Sequence, residues 1–276
     1  MTDPAAAPLT EHYLSTTRDP AIREIWQFRE LLLSLVSRDL TVKYQRSALG
    51  LLWTLLKPLL MVLVLIGVFT SVLRIGVDGF WAFLISGIFV FNFVSGAMSR
   101  ATSILRGQAA LRRSVAFPSV IVVLSSLLAL LVEFLIEIAI VMFAIFVFYH
   151  HAVPATVILL PWLIFLQFLM AAGLMYSLSV ISVMYHDVEH AMEAIMRLLF
   201  FLTPIFYPVS MIPETLRGYF YLNPLVGLLE LFHLILYEGT WPSWQLLGAV
   251  STTSIVIFLV GFWIFRRFAD VCVEIA

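Results

Sequence analysis

The apolar residues of this chain are gathered into runs much longer than a soluble core requires. Runs without a charged residue cover 79–99, 152–185, 198–213, 218–229 and 239–265. Two more hold isolated charges, 49–73 around Lys57 and 115–149 around Glu133 and Glu137. A helix needs about 20 apolar residues to cross a hydrocarbon core of roughly 30 Å. The pattern therefore predicts spans over 49–73, 79–99, 117–149 and 155–184, a broken region over 194–237, and a last span over 246–265. The expected fold is an all-α integral membrane protein with six transmembrane helices.

Two regions depart from plain spans. Asp19-Pro20 is a helix start, a capping residue followed by proline at the first helical position. On a wheel from Ile22, the polar residues Arg23, Gln27, Glu30, Ser34, Ser37 and Arg38 share an arc of roughly 100°. Ile22, Ile25, Trp26, Leu32, Leu33 and Val36 take the other side, with Arg29 the exception among them. This predicts an amphipathic helix lying in the membrane interface; an amphipathic helix packed on a partner has the same pattern. In the broken region, Pro204 and Pro208 interrupt a run too short to cross comfortably, Glu214 to Arg217 make a polar break, and Asn223-Pro224 interrupts the next run. Two half-length apolar segments bent at proline read as short re-entrant helices before the last span, because irregular backbone at membrane depth survives only inside protein or beside a water-filled cavity. One crossing helix with an interfacial loop is the alternative.

Composition agrees with a lipid environment: 62% of residues are hydrophobic and 12% charged, against roughly 45–50% and 25% in soluble domains. Charge then orients the spans, since cytoplasmic loops are enriched in lysine and arginine. Arg18, Arg23, Arg29, Arg38, Lys43 and Arg46 precede the first span, Arg100, Arg106, Arg112 and Arg113 separate the second from the third, and Arg266 and Arg267 follow the last. The loops that would face outward offer only Arg74 and Arg217. Both termini are therefore expected in the cytoplasm, with a cytoplasmic N-terminal region over 1–48, a six-span domain over 49–267 and a cytoplasmic tail over 268–276. The first seventeen residues hold no apolar stretch with a cleavage site, so a removable signal peptide is not expected. A single cysteine, Cys272, excludes an internal disulfide and multi-cysteine metal sites.

Four strings carry chemistry in order along the chain. They are RDLTVKYQRSALGLLWTLLKPLL from Arg38, YHDVEH at 185–190, TPIFYPVSMIP at 203–213 and LNPLVGLLELF at 222–232. Together they resemble the permeases of ABC-2 type exporters that carry O-antigen, teichoic acid and cell-wall galactan, over 38–232. The resemblance departs at His186 and His233, where that family often has arginine.

The resemblance implies a homodimeric channel in the bacterial plasma membrane with two separate ATPase subunits beneath it, moving a polyprenyl-diphosphate-linked polysaccharide. No nucleic-acid partner is implied. It also implies roles. Arg38, Asp39, Lys43, Tyr44, Arg46 and Trp53 would form the gate region at the first span. Arg100, Arg106, Gly107, Arg112, Arg113, His186, Asp187 and His190 would rest on the ATPase and couple its closure. Trp53, Phe69, Phe200, Phe201, Phe206 and Tyr207 are candidates for the channel wall. No G-x-x-x-x-G-K-[ST] loop occurs, so the chain itself is expected to hold no cofactor and to hydrolyse nothing. ATP and Mg belong to the partner subunit.

Two readings of residues stand beside this. Glu133 and Glu137 share a face of the third span, where a charge costs about 2.5–3.5 kcal/mol on the insertion scale. Counting about 1.5 Å per residue from Pro118 places them roughly 20–30 Å up, in the outer half and away from Lys57; a pathway, a dimer contact or a hydrated outer crevice would each accommodate them. His186, Asp187, Glu189 and His190 have helical spacing for a metal, but a cytoplasmic turn touching the ATPase accounts for them with fewer assumptions. The rival functions are an ABC-2 exporter of drugs or small lipids, and a membrane-embedded glycosyltransferase or acyltransferase. The latter would show a loop of acidic metal ligands or an HxxxxD-type pair, and neither is present.

Overall fold

The computed structural model describes residues 21–45, 50, 52–72, 79–107, 118–149, 154–185 and 187–275. Every regular element among them is helical. In chain order these are α1 (Ala21–Gln27), α2 (Arg29–Tyr44), α3 (Leu52–Ile66), α4 (Phe80–Gly107), α5 (Ser119–Tyr149), α6 (Leu160–Met184), α7 (Val188–Leu202), α8 (Glu214–Phe220), α9 (Pro224–His233) and α10 (Trp244–Ile275). A 3₁₀ turn, Ala155–Leu159, leads into α6, while α3 and α9 run on as π turns, Gly67–Val72 and Leu234–Glu238.

Among the described residues, four stretches are long and apolar enough to cross a membrane: Phe80–Leu105, Ser119–Ile145, Ala155–Met184 and Trp244–Ala269. A fifth candidate is the pair Glu214–Phe220 and Pro224–Glu238, bent by 108°. The first expected span is the one that differs. Regular α3 has 15 residues, about 22 Å at 1.5 Å each, and its helical path lengthens only through the wider turn Gly67–Val72.

Helix α4 lies at the centre, with 78% of its span buried against 17% for that of α10. It runs parallel to α6, since Gln167 Nε2 donates to the Val90 carbonyl at 3.1 Å and Ser182 Oγ to that of Ala101 at 3.4 Å. Helix α10 runs the same way against α6. Tyr176 meets Phe262 and Phe265 there, and the two backbones touch where a Cβ on Gly173 or Gly261 would strike the opposite main chain. Small residues allow this approach in lipid, where close packing replaces the hydrophobic effect as the force between helices. The C-terminal ends of α4, α6 and α10 thus lie at one end of the bundle. That end collects Arg100, Arg266 and Arg267, as the charge pattern anticipates.

The N-terminal amphipathic helix is in two pieces broken at Phe28, and its apolar arc divides in two. Leu32 and Leu35 are buried on Ile121, flanked by Leu124 and Leu128 of α5, whereas Trp26 and Leu33 remain 70% and 65% exposed. Helix α2 therefore climbs alongside α5. Part of the arc assigned to the membrane interface is spent on a neighbouring helix. Glu24 on α1 is 2% exposed and accepts from Arg266 Nη1 at 2.8 Å, tying the first helix to the last.

In the broken region the breaks fall at Thr203-Pro204 and at Asn223-Pro224. The expected polar break at Glu214 to Arg217 is instead the body of α8. Pro213 precedes it and Glu214 occupies its first turn, both favourable at a helix N-terminus. Asn223 fastens the second break. Its Oδ1 accepts from the Leu225 N–H at 3.1 Å, capping α9, and its Nδ2 donates to Thr203 Oγ1 at 2.9 Å, joining the two breaks.

Candidate functional site

Two groupings of side chains stand out, at opposite ends of α3. The first is a cleft of about 710 Å3 among α2, α3, α4 and α5, in which Lys43, Lys57, Asn92, Ser99, Arg100, Glu133 and Glu137 stand among Trp53, Pro58, Phe93, Leu130 and Phe134. Its anchor is Glu133, whose side chain is 8% exposed. Lys43 Nζ donates to Glu133 Oε2 at 2.7 Å, and Arg100 Nη2 lies 3.7 Å from Oε1. Arg100 also reaches the Ser126 carbonyl at 3.5 Å and its hydroxyl at 3.4 Å. A buried carboxylate costs several kcal/mol unless paired, and two cations from two other helices meet that requirement. Three elements remote in sequence are clamped at one point.

This geometry corrects the depth inferred from counting. Helix α5 has 31 residues, about 46 Å at 1.5 Å each, longer than a bilayer core, and its first turns lie beside α2. Distance from its N-terminus therefore overstates depth. Glu133 stands at the arginine-rich end, level with Arg100, and Glu137 and Lys57 line the same cleft.

The second grouping is aromatic. Phe69, at the end of the α3 path, lies 5.6 Å from Phe80 and 5.5 Å from Phe206 between ring centroids. Phe206 in turn meets Phe200 at 5.9 Å, Phe201 at 6.1 Å and Tyr207 at 5.1 Å, and Phe200 reaches Phe91 at 5.4 Å. The Tyr207 hydroxyl donates to the Phe201 carbonyl at 3.0 Å, and Phe201 is 62% exposed. Five of the six channel candidates thus form one cluster. The sixth, Trp53, belongs to the charged cleft.

The other candidates are dispersed. Arg38 pairs with its neighbour Asp39 at 3.0 Å on the surface of α2. Tyr44 is the last residue of α2 and Arg106 stands in the last turn of α4, their side chains lying outside the described residues along with Arg46, Arg112, Arg113 and His186. Gly107 closes α4 with open space around it. Asp187 precedes α7, its carbonyl accepting from the Ala191 N–H at 2.9 Å, and His190 is exposed on the first turns of that helix. Among the described residues, no three His, Cys, Asp or Glu side chains converge as a metal site would require.

Sequence reasoning passed over Asn92 and Ser99, which line the cleft. Asn92 left a signal: a lone amide in the run FVFNFV, where a polar residue inside a span is a functional pointer by default. It also took His233 only as a departure. The ring is buried, 3.8 Å from that of Phe83 and 3.1 Å from the Phe83 carbonyl, in a space that a Cβ on Gly87 would invade.

The chain resembles known proteins over nearly its whole length. It is 32% identical over 247 residues to the O-antigen export system permease protein RfbA of Myxococcus xanthus, covering 89% of this chain and 95% of that one. To the protein of the same description from Klebsiella pneumoniae it is 27% identical over 247 residues, 88% and 95% of the two chains. To the polysialic acid transport protein KpsM of Escherichia coli it is 21% identical over 240 residues, 84% and 91%. The model of the family described as ABC-2 type transporter matches residues 30–237, a range that contains both the charged cleft and the aromatic cluster, and the chain belongs to that family.

Proposed function

We propose that this chain is the permease subunit of an exporter that moves a polyprenyl-diphosphate-linked polysaccharide across the bacterial plasma membrane, as a homodimer driven by two separate ATPase subunits. The single observation that carries this reading is the match to polysaccharide-export permeases over nine-tenths of the chain. The arrangement of the two groupings supports it: α3 leads from a charged cleft at the arginine-rich end to a cluster of partly exposed aromatic rings at the other, where apolar faces of sugars can slide without one sequence of sugars being required. In the same reading α3 is the first of six spans, α7 with the bent pair α8 and α9 makes up the fifth region with its re-entrant pieces, and both termini face the cytoplasm.

Coupling falls to the connections at the arginine-rich end. Arg100, Arg106, Gly107, Arg112 and Arg113 between α4 and α5, and His186, Asp187 and His190 between α6 and α7, rest on the ATPase in this reading. Force applied there moves two spans at once. ATP and Mg are bound by that partner and not by this chain.

The test is deletion and complementation in the native host. Loss of the gene should remove surface glycan and accumulate lipid-linked glycan on the inner leaflet, and the tagged chain should carry an ATPase subunit through purification. Arg106→Glu with Gly107→Glu should keep the membrane level of the permease but reduce export at least tenfold, with Arg106→Lys close to wild type. Unchanged surface glycan in the deletion strain would refute the reading. A single cysteine in place of Arg267, with Cys272 replaced, should be shielded from an impermeant thiol reagent in intact cells, and labelling there would refute the orientation.

A further inference from the structure

The charged cleft is more than a clamp, because only part of it is occupied with its own charges. Lys43 and Arg100 are both directed at Glu133. The remaining polar groups facing the space are Lys57, Asn92, Ser99 and Glu137, set beside Trp53 and an apolar wall that includes Pro58, Phe93, Leu130 and Phe134. Glu137 is 9% exposed and has no hydrogen bond or ion pair among the described residues. Asn92 is exposed to the cleft while its neighbours Phe91 and Phe93 are buried, and the Trp53 ring is 39% exposed, with Lys57 Nζ 6.0 Å from its centroid. Retaining a carboxyl group and a bare amide without partners inside a membrane bundle is costly, and such groups mark a site by default.

The chemistry of the set selects its ligand. Lys43 and Arg100 are both engaged by Glu133, which leaves Lys57 as the one ammonium of the cleft not held by a carboxylate among the described residues, and a single ammonium is not the cluster of cations or helix N-termini that a diphosphate calls for. What is left is a mixture of donors and acceptors: a carboxylate and two neutral polar groups that accept, and an ammonium, an amide and a hydroxyl that donate. An aromatic face lies beside them. Vicinal hydroxyls both donate and accept, and the C–H face of a pyranose packs on an indole. A volume of about 710 Å3 lies within the roughly 300–1,000 Å3 of small-ligand pockets.

We infer that this cleft is a sugar-binding subsite, which takes one or two residues of the transported glycan with Trp53 beneath the ring and Glu137 and Asn92 on its hydroxyls. The inference rests on the transport reading above and narrows it: the sugar is held at the arginine-rich end, before the aromatic cluster, and the paired Glu133 is the wall of the site, not a ligand.

The experiment is saturation-transfer NMR on the full chain in lipid nanodiscs prepared without sugar-based detergents. The probes are the methyl glycosides of N-acetylglucosamine, mannose and galactose, with inorganic pyrophosphate as competitor. At least one glycoside should bind in the millimolar range. Glu137→Gln and Trp53→Ala should each weaken it at least fivefold, Trp53→Phe should retain it, and pyrophosphate should not displace it. If Glu137→Gln fails to insert, Asn92→Ala takes its place with the same expected direction. No glycoside binding by the wild type, equal binding by the variants, or pyrophosphate displacement abolished by Lys57→Met would each overturn the assignment, the last in favour of a headgroup site. Export in cells separates the two levels. If the wild-type gene restores surface glycan and the cleft variants export and bind as well as it does, the subsite alone fails; if deletion never alters surface glycan, the transport reading fails.

Discussion

The two ends of α3 hold their surroundings by different physics. At the cleft, Glu133 draws Lys43 of α2 and Arg100 of α4 to one point, so that position is set by a few directional, charge-assisted contacts. At the other end, Phe69, Phe80, Phe200, Phe201, Phe206 and Tyr207 meet at centroid distances from 5.1 to 6.1 Å, in mostly tilted and edge-on pairs that many small rearrangements would preserve. A directional clamp has one geometry and fails when a partner is lost. A ring cluster yields gradually. The first suits the recognition of a defined chemical group, the second suits passage of a chain whose units differ.

The largest effect should come from unpairing Glu133. Lys43→Met combined with Arg100→Leu leaves that carboxylate buried without compensation, and should cost about 3–5 kcal/mol. Thermal unfolding in nanodiscs should show a drop that exceeds the sum of the two single variants, since each cation alone still serves the same group. Additive effects would mean that the two cations act independently.

A smaller loss is expected at the ring cluster. Phe206→Ala removes the ring shared by most of the pairs, and because Phe206 is only half buried the cost should be about 2 kcal/mol, below the 3–5 kcal/mol of a fully enclosed phenylalanine. Phe206→Leu should restore much of it. A loss as large as that of the Glu133 unpairing would erase the contrast between the two ends.

The smallest effect on stability belongs to Asn92→Ala, within about 0.5 kcal/mol, because the residue is exposed and its amide makes no hydrogen bond among the described residues. Its binding of methyl glycosides should nevertheless fall. A stability change above 1 kcal/mol would convert Asn92 from a ligand-facing group into a structural one.

Much of this was readable along the chain, and the reason is local. Run length and the breaks at Pro204 and Asn223-Pro224 follow from hydrogen bonding within a segment, which every helix in lipid must satisfy by itself. The clustering of arginines at one end was likewise visible, since it is a property of loops and not of packing. Depth was not. Counting from Pro118 assumed that α5 begins at the membrane edge, and nothing in residues 117–149 reveals that α2 lies beside its first turns.

What the sequence determined by itself is therefore the all-helical class, the approximate limits of the long apolar helices, their family and which residues are chemically unusual: Lys57, Glu133, Glu137 and the aromatic runs. The tertiary structure alone decided which of these meet. Lys43 and Glu133 are ninety positions apart, Arg100 lies on a third helix, and Trp53 went to the cleft and not to the rings. Such partnerships depend on which faces of neighbouring helices are turned together, at points such as Gly173 against Gly261. In lipid no hydrophobic gradient writes that choice into the pattern of apolar and polar positions.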